Sequence, residues 1–262
     1  MIGPSHKSNA SVEQWFFKER KELLVNLRNA NNLEKELEER QKYVSFTERL
    51  CTRLGLHSIA TCTTLLLLHR VLLRWPPTTL PPTYDLAATM LFLSLKVEEM
   101  PRPLFQVLQH ALSERFSSVE NLQVKEQDAQ VLEMRQRVVE LERKCLVLLC
   151  FDMVVDNPYR HVQRFFIQMG QQPQQPQAST GMKQWKEAAV KRMLRSYYSL
   201  VHLEVSSRHV AGACIHATRP PNMEMSADLL LRLFKLDTTE PLERVNEIID
   251  EDLKFITNKT DG

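Results

Sequence analysis

One group of residues in this chain is placed to do chemistry: Lys96, Glu98 and Glu99, directly after the uncharged run Leu86–Leu95. A lysine in the last turn of a helix is favoured by the helix dipole, whereas two glutamates at that end sit against it. Charges surfacing at the mouth of an apolar run, partly against the dipole, point to contact with another polypeptide. Two other readings stand beside this one. Lys96 is also what a solvated helix-terminal lysine looks like, and Glu98 or Glu99 is placed to cap a helix starting after Pro101. Catalytic chemistry has no comparable cluster. There is no nucleophile–base arrangement, no phosphate-cradling glycine loop and no His-Glu-x-x-His run. With 6 glycines in 262 residues, a nucleotide-binding loop has little to be built from. The chain is therefore not expected to be an enzyme or to take a small-molecule substrate. The 8 histidines are scattered without metal-ligand spacing, so neither a metal nor a cofactor is expected. Cys51, Cys62, Cys145, Cys150 and Cys214 form no CxxC pair and lie in apolar helical patterns, as reduced core thiols do.

The element that must position Lys96 is the run itself. It mixes small residues (Ala87, Ala88, Ser94) with large apolar ones and holds no Gly or Pro. A helix apolar on every side is buried on every side, and this one is too short to span a bilayer. It is read as the central helix of an all-α domain. The composition agrees: 43% hydrophobic and 25% charged residues predict a substantial core. The 34 basic and 32 acidic residues nearly cancel, to a net charge of +2, which gives no electrostatic case for direct nucleic-acid binding. The first residues contain no apolar signal region, and the Leu65–Leu68 run is cut by His69 and Arg70, so no membrane association is expected.

Around the central run, helical periodicity and breakers divide the chain. A polar start gives way to a helix from Val12 to about Ala30, carrying Trp15, Phe16, Leu23, Leu24 and Leu27. It reads equally as a helix packed on the domain and as one that also touches a partner. Helices then follow over Leu33–Leu54, Ser58–Trp75, the central run, Leu104–Glu114 and Glu126–Cys150, with stops at Gly55, Pro76-Pro77 and Pro101. Phe151–Asn157 closes this set, and Asn157-Pro158 starts the next. A second set of five covers Pro158–Met169, Lys183–Leu203, Ser207–Thr218, Ser226–Leu233 and Thr239–Phe255, with a Gln/Pro-rich surface loop at 170–177. Its third member, His209–Ala217, is short and rich in small residues like Leu86–Ser94. Two sets of five with alike third helices suggest an internal repeat, divided as 1–32, 33–154 and 155–262.

These motifs, in this order, resemble the cyclin box. Leu-Phe-Leu-Ser-Leu-Lys-Val-Glu-Glu at 91–99 is similar to the family's most recognisable run, with Pro101 after it. Trp15-Phe16-Phe17-Lys18-Glu19-Arg20 precedes the box, Arg40-Gln41 lies in its first helix and Leu68-His69-Arg70 in its second. Leu141-Glu142 and Phe151-Asp152 lie in and after the fifth. Asn157-Pro158-Tyr159 and Val210-Ala211 to Ile215-His216 match the start and third helix of a second, divergent box. The resemblance covers about residues 12–257 and points to the transcriptional T, K and L kind. The first helix departs from the docking pattern of cell-cycle cyclins, reading Glu39-Arg40-Gln41-Lys42-Tyr43.

The resemblance implies tandem five-helix boxes and a regulatory subunit that activates a transcriptional cyclin-dependent kinase by packing on its C-helix. It implies kinase-binding roles for Lys96, Glu142, Phe92 and Glu99. Lys96 donates to kinase backbone carbonyls, and Glu142 accepts from kinase amides and orients Lys96. Read alone, Glu142 is also an ordinary surface partner at helical spacing. Arg40 is implied as an internal tie of the first helix. The substrate implied is the RNA polymerase II tail, or a splicing or elongation factor, and the location is the nucleus, with the cytoplasm also open. The alternative is a cyclin-fold transcription adapter that binds DNA or initiation factors without a kinase. That class calls for a basic face and a zinc ribbon, against which the near-neutral charge and unpaired cysteines stand.

Overall fold

A computed structural model describes residues 15, 17, 20–27, 32–76, 79–117, 123–171, 180–221, 227–236 and 238–257. Among these residues the secondary structure is helical throughout. The first set comprises α1 (Arg20–Asn26), α2 (Leu33–Arg53), α3 (Ser58–Arg74), α4 (Thr83–Val97), α5 (Leu104–Arg115) and α6 (Ala129–Leu148). The second comprises α7 (Pro158–Gly170), α8 (Thr180–Arg195), a 3-10 turn at Ser196–Tyr198, α9 (Val201–Glu204), α10 (Ser207–Ala217), α11 (Ala227–Phe234) and α12 (Glu240–Thr257).

The helices begin and end where local chemistry requires. Asn32 caps α2 by accepting from the Lys35 amide at 2.9 Å. Gly55 closes that helix in the left-handed region at φ +61°, where the absence of a Cβ removes the steric cost. Asn157 caps α7 by accepting from the Tyr159 amide at 3.0 Å, with Pro158 at the first helical position. Ser206 caps α10.

The apolar run behaves as its composition demands. From Asp85 to Leu95 every residue of α4 except Phe92 is buried, and α2, α3, α5 and α6 surround it. Each leucine so buried contributes roughly 1.5–3 kcal/mol relative to an exposed one. In the second set α10 holds the same place, with α7, α8, α11 and α12 against it. Its small residues allow close approach: a Cβ added to Gly212 would lie 3.0 Å from the Leu242 side chain and 3.1 Å from Phe234. The two sets share core. One continuous apolar cluster runs from Val44 and Leu67 through Leu86 and Met90 to Phe165, Trp185, Val210 and Ile249.

Three expectations are corrected. Among the described residues of the helix expected over Val12–Ala30, Arg20–Asn26 is helical while Trp15 and Phe17 are not, and residues 12–14, 16, 18–19 and 28–30 lie outside the described ones. Phe17 is not helical because its amide donates to the Leu203 carbonyl, 2.9 Å away on α9. The helix expected over Lys183–Leu203 breaks after Arg195. There the Ser196 hydroxyl donates to the Met193 carbonyl and the Ser199 hydroxyl accepts from the Val201 amide, two local bonds that compete with the helical ladder. The helix expected to run to Cys150 stops at Leu148, since Cys150 and Phe151 adopt φ +51° and +55°. Most of the Gln/Pro loop at 170–177 lies outside the described residues.

Candidate functional site

Two helix ends make the site. The last turn of α4 projects Lys96, whose Nζ donates to Glu142 Oε1 of α6 at 2.5 Å and lies 4.1 Å from the centre of the Phe92 ring. Phe92 is four residues before Lys96, so helical spacing places ring and ammonium on one face. The Lys96 side chain is 48% exposed and that of Glu142 17%. The carboxylate is therefore the anchored partner and the ammonium the one open to solvent. An ammonium has three donors, and Glu142 takes one of them among the described contacts.

The backbone at this end is unusual. Glu99 sits at φ +55°, with the Met100 amide bonded to the Leu95 carbonyl at 2.9 Å, the pattern that terminates helices on a left-handed residue. The same closure ends α6, where the Phe151 amide bonds the Leu146 carbonyl at 2.9 Å. Glycine normally fills such positions, and other residues hold them at a cost. Four described non-glycine residues have positive φ, and three of them, Glu99, Cys150 and Phe151, end the helices bearing Lys96 and Glu142. The Glu99 amide donates to the Lys96 carbonyl at 3.3 Å, and its side chain is exposed without a described bond.

Neither Glu98 nor Glu99 caps the next helix: α5 begins at Leu104, with Pro103 at the cap position and no side-chain cap. Glu98 turns inward instead. One of its oxygens accepts from the Thr63 hydroxyl at 2.6 Å, the other from Arg160 at 2.9 Å. Thr63 in turn accepts from Asn157 Nδ2 at 2.8 Å, and the same amide donates to the Ile59 carbonyl at 2.9 Å. This chain of bonds fastens α4 to α3 and α7.

Arg40 is buried within α2. Its Nε donates to Glu36 at 2.6 Å, and its Nη1 reaches His69 of α3 at the ring Nδ1 (3.2 Å) and the carbonyl (3.3 Å). The acidic partner is thus on its own helix, and the tie between helices runs through His69. Burial and the Arg40 charge push the His69 imidazole down to about 3, so the ring is neutral.

The structure brings Lys96, Glu142 and Phe92 together, leaves Glu99 on the same exposed rim and sets Arg40 apart in the core. The sequence reading missed exposed apolar side chains on α6 and just after it. Val139 and Val147 of α6 and Phe151 and Val154 of the strap after it are exposed, at 38%, 64%, 69% and 58%. Helical phase carries the signal: Met134, Val138 and Cys145 face the core, which turns Val139 and Val147 away from it. Among the described residues no three His, Cys, Asp or Glu side chains converge to hold a metal ion, and no helix is long and apolar enough to cross a membrane. The arrangement has no reactive group activated by a neighbour; what it offers is a rim of donors, acceptors and apolar side chains.

No family model matches the chain. Among curated proteins it is 31% identical over 133 residues to cyclin pch1 of Schizosaccharomyces pombe, covering 51% of this chain and 38% of that protein. It is 29% identical over 155 residues to cyclin-T1-3 of Oryza sativa, covering 56% and 30%. With human cyclin-T1 it shares 27% identity over 248 residues, 93% of this chain and 32% of the relative. The chain spans about a third of the length of these relatives. Among solved structures, the fold matches a chain of the yeast TFIIK (Kin28/Ccl1/Tfb3) complex at a TM-score of 0.67, with 17% identity, covering 94% of this chain and 100% of that one. A chain of the yeast RNA polymerase II CTD kinase CTDK-1 matches at 0.66, with 18% identity, covering 94% and 74%.

Proposed function

Starting from a chain of the cyclin family, transcriptional in kind, we propose that it is the regulatory subunit of a cyclin-dependent protein kinase, with boxes over 33–154 and 155–262. The observation that carries this reading is the exposed rim at the ends of α4 and α6. There a Lys96–Glu142 pair ties the two helices together, and Val139 and Val147 of α6 and Phe151 just after it are left exposed. Polar groups that set orientation, next to apolar side chains that supply buried area, are what a stable protein interface needs.

The mechanism follows from kinase physics. An active kinase has its C-helix glutamate paired with the strand-3 lysine and its activation loop ordered. A rigid surface that binds the inward C-helix position better than the outward one shifts that equilibrium. In this reading the Lys96 ammonium, steadied by Glu142 and the Phe92 ring, donates to kinase backbone carbonyls. Glu142 has acceptor capacity left for kinase amides, and Glu99 contacts the same partner from its left-handed turn. Arg40 braces α2 against α3 from within. Catalysis belongs to the partner, and an interface of ~1,600 Å² or more is expected. The likeness to a chain of an RNA polymerase II CTD kinase complex supports the polymerase tail as substrate and the nucleus as location.

The test is a charge exchange. Lys96→Glu combined with Glu142→Lys preserves an ion pair within the chain, so the fold keeps its contact while the charges offered to the kinase are reversed. The expected result is loss of kinase co-purification from the native extract by a variant with unchanged helicity and melting temperature. The kinase captured by the unmodified protein is expected to phosphorylate polymerase-tail peptide. Undiminished capture by the exchanged variant overturns the contact roles.

A further inference from the structure

We propose that the cleft between α8 and α12 binds a phosphorylated peptide segment. It lies on helices that carry none of the rim residues, and its volume is about 460 Å³, more than a phosphate group alone fills. Lys191, Arg192 and Arg195 line it from the end of α8 and Lys254 from α12, against a single carboxylate among the described residues, Asp250. Three cations of α8 facing one carboxylate among the described residues is a strong local bias in a chain whose net charge is +2.

The helix dipole accounts for a basic residue or two at the end of α8. It does not account for the way Arg192 is held. Arg192 Nε donates to Asn246 at 3.0 Å, and its Nη2 donates to both oxygens of Asp250 at 3.0 and 3.1 Å. The one carboxylate is thereby committed, and the guanidinium is fixed with its Nη1 without a described partner. Lys191 and Arg195 are exposed, also without a described bond. A pre-positioned guanidinium flanked by the exposed cations Lys191 and Arg195 suits a dianionic phosphate, whose oxygens accept several charge-assisted bonds at once.

The walls identify the rest of the ligand. Ile249 is buried and Leu253 half-buried at the cleft, giving an apolar side chain next to the phosphate a seat. Among the described residues no aromatic side chain lines it, which gives nucleic-acid bases no face there to stack on. A peptide carrying phosphoserine or phosphothreonine beside an apolar residue fits both parts of the cleft. The inference does not depend on the kinase reading. Taken with it, the cleft selects substrates that already carry a phosphate.

The experiment uses the purified chain without a kinase, so its failure leaves the proposed kinase contact untouched. Fluorescence anisotropy compares a short labelled peptide bearing one phosphoserine followed by leucine with its unphosphorylated twin and with a single-stranded RNA. The expected result is binding of the phosphopeptide at least about tenfold tighter than the twin. Lys191→Glu with Arg195→Glu is expected to abolish that difference at unchanged melting temperature. The milder Lys191→Ala with Arg195→Ala pair is expected to remove most of it, should charge reversal disturb the fold. Equal binding of the two peptides, no binding of either, a preference that survives the substitutions, or RNA bound more tightly through the same residues overturns the proposal.

Discussion

Glu98 shows how little a residue's neighbourhood in sequence says about its job. It is one residue from Glu99 and two from Lys96, yet its side chain is 7% exposed and serves the interior. It gathers Thr63 of α3 and Arg160 of α7, and through Thr63 it reaches Asn157 at the cap of α7. Glu98→Ala leaves the Thr63 hydroxyl without its acceptor and Arg160 without its ion pair. The expected loss is about 1–3 kcal/mol, measured as a lower urea midpoint at an unchanged m-value. Glu98→Gln is expected to lose less, since the amide oxygen still accepts from Thr63. Lys96 and Glu99, by contrast, are exposed, and their worth is expected to appear when a partner binds. Sequence placed all three charges at a helix end; which of them turned inward depended on Thr63 and Arg160, 35 and 62 residues away.

At the scale of elements, α4 and α10 are legible and the ends of the chain's first and eighth helices are not. The uncharged run at 86–95 and the small residues at 210–215 demand burial whatever surrounds them. Gly212 marks the closest approach. Gly212→Val pushes two methyl groups beyond a Cβ that already meets Leu242 and Phe234. A loss of about 1–3 kcal/mol from overpacking is expected, read by thermal unfolding of the purified chain. The segment before α2 was harder to read, because its apolar residues anchor at separate places. Trp15 Nε1 donates to Asp152 at 3.0 Å while the Arg74 guanidinium sits 4.1 Å from its ring centre. Leu23 and Leu27 pack with Leu37, Leu200 and Leu203, and Arg20 pairs with Glu204 at 2.7 Å and with buried Asp252. This segment is stapled to both sets of helices, as a helix packed on the domain is, whether or not it also touches a partner.

On the scale of the molecule, the two helix sets are joined by a buried polar seam. His69 Nε2 meets the Tyr197 carbonyl at 2.8 Å while its Nδ1 faces Arg40. The Tyr197 ring stacks on His202 at 3.9 Å, and His202 Nε2 meets the Ser196 hydroxyl at 2.8 Å. Burial pushes both imidazoles down, His69 to about 3 and His202 well below its ordinary 6.5. As pH falls below 6.5 the unfolded chain takes up protons that the folded one refuses, so stability is complete above that pH and declines beneath it. Each group contributes a slope of about 1.4 kcal/mol per pH unit where only its unfolded form is protonated. Burial raises the carboxyls of Glu48 and Glu204, which act in the opposite sense at lower pH. Denaturation midpoints measured from about pH 7 to about pH 5 are expected to fall, and to fall less steeply in His202→Gln. What the sequence determined by itself was the all-helical plan, the order of the helices and the burial of α4 and α10. Periodicity, breakers and caps act over a few residues and leave their mark in the string. What only the tertiary structure decided was which groups face outward: Lys96 and Phe151 at the rim, Glu98 and Arg40 within, and the cations of α8 and α12 on one cleft. Those choices depend on pairs such as Arg20 and Asp252, 232 residues apart, whose meeting is a property of packing and of no local segment.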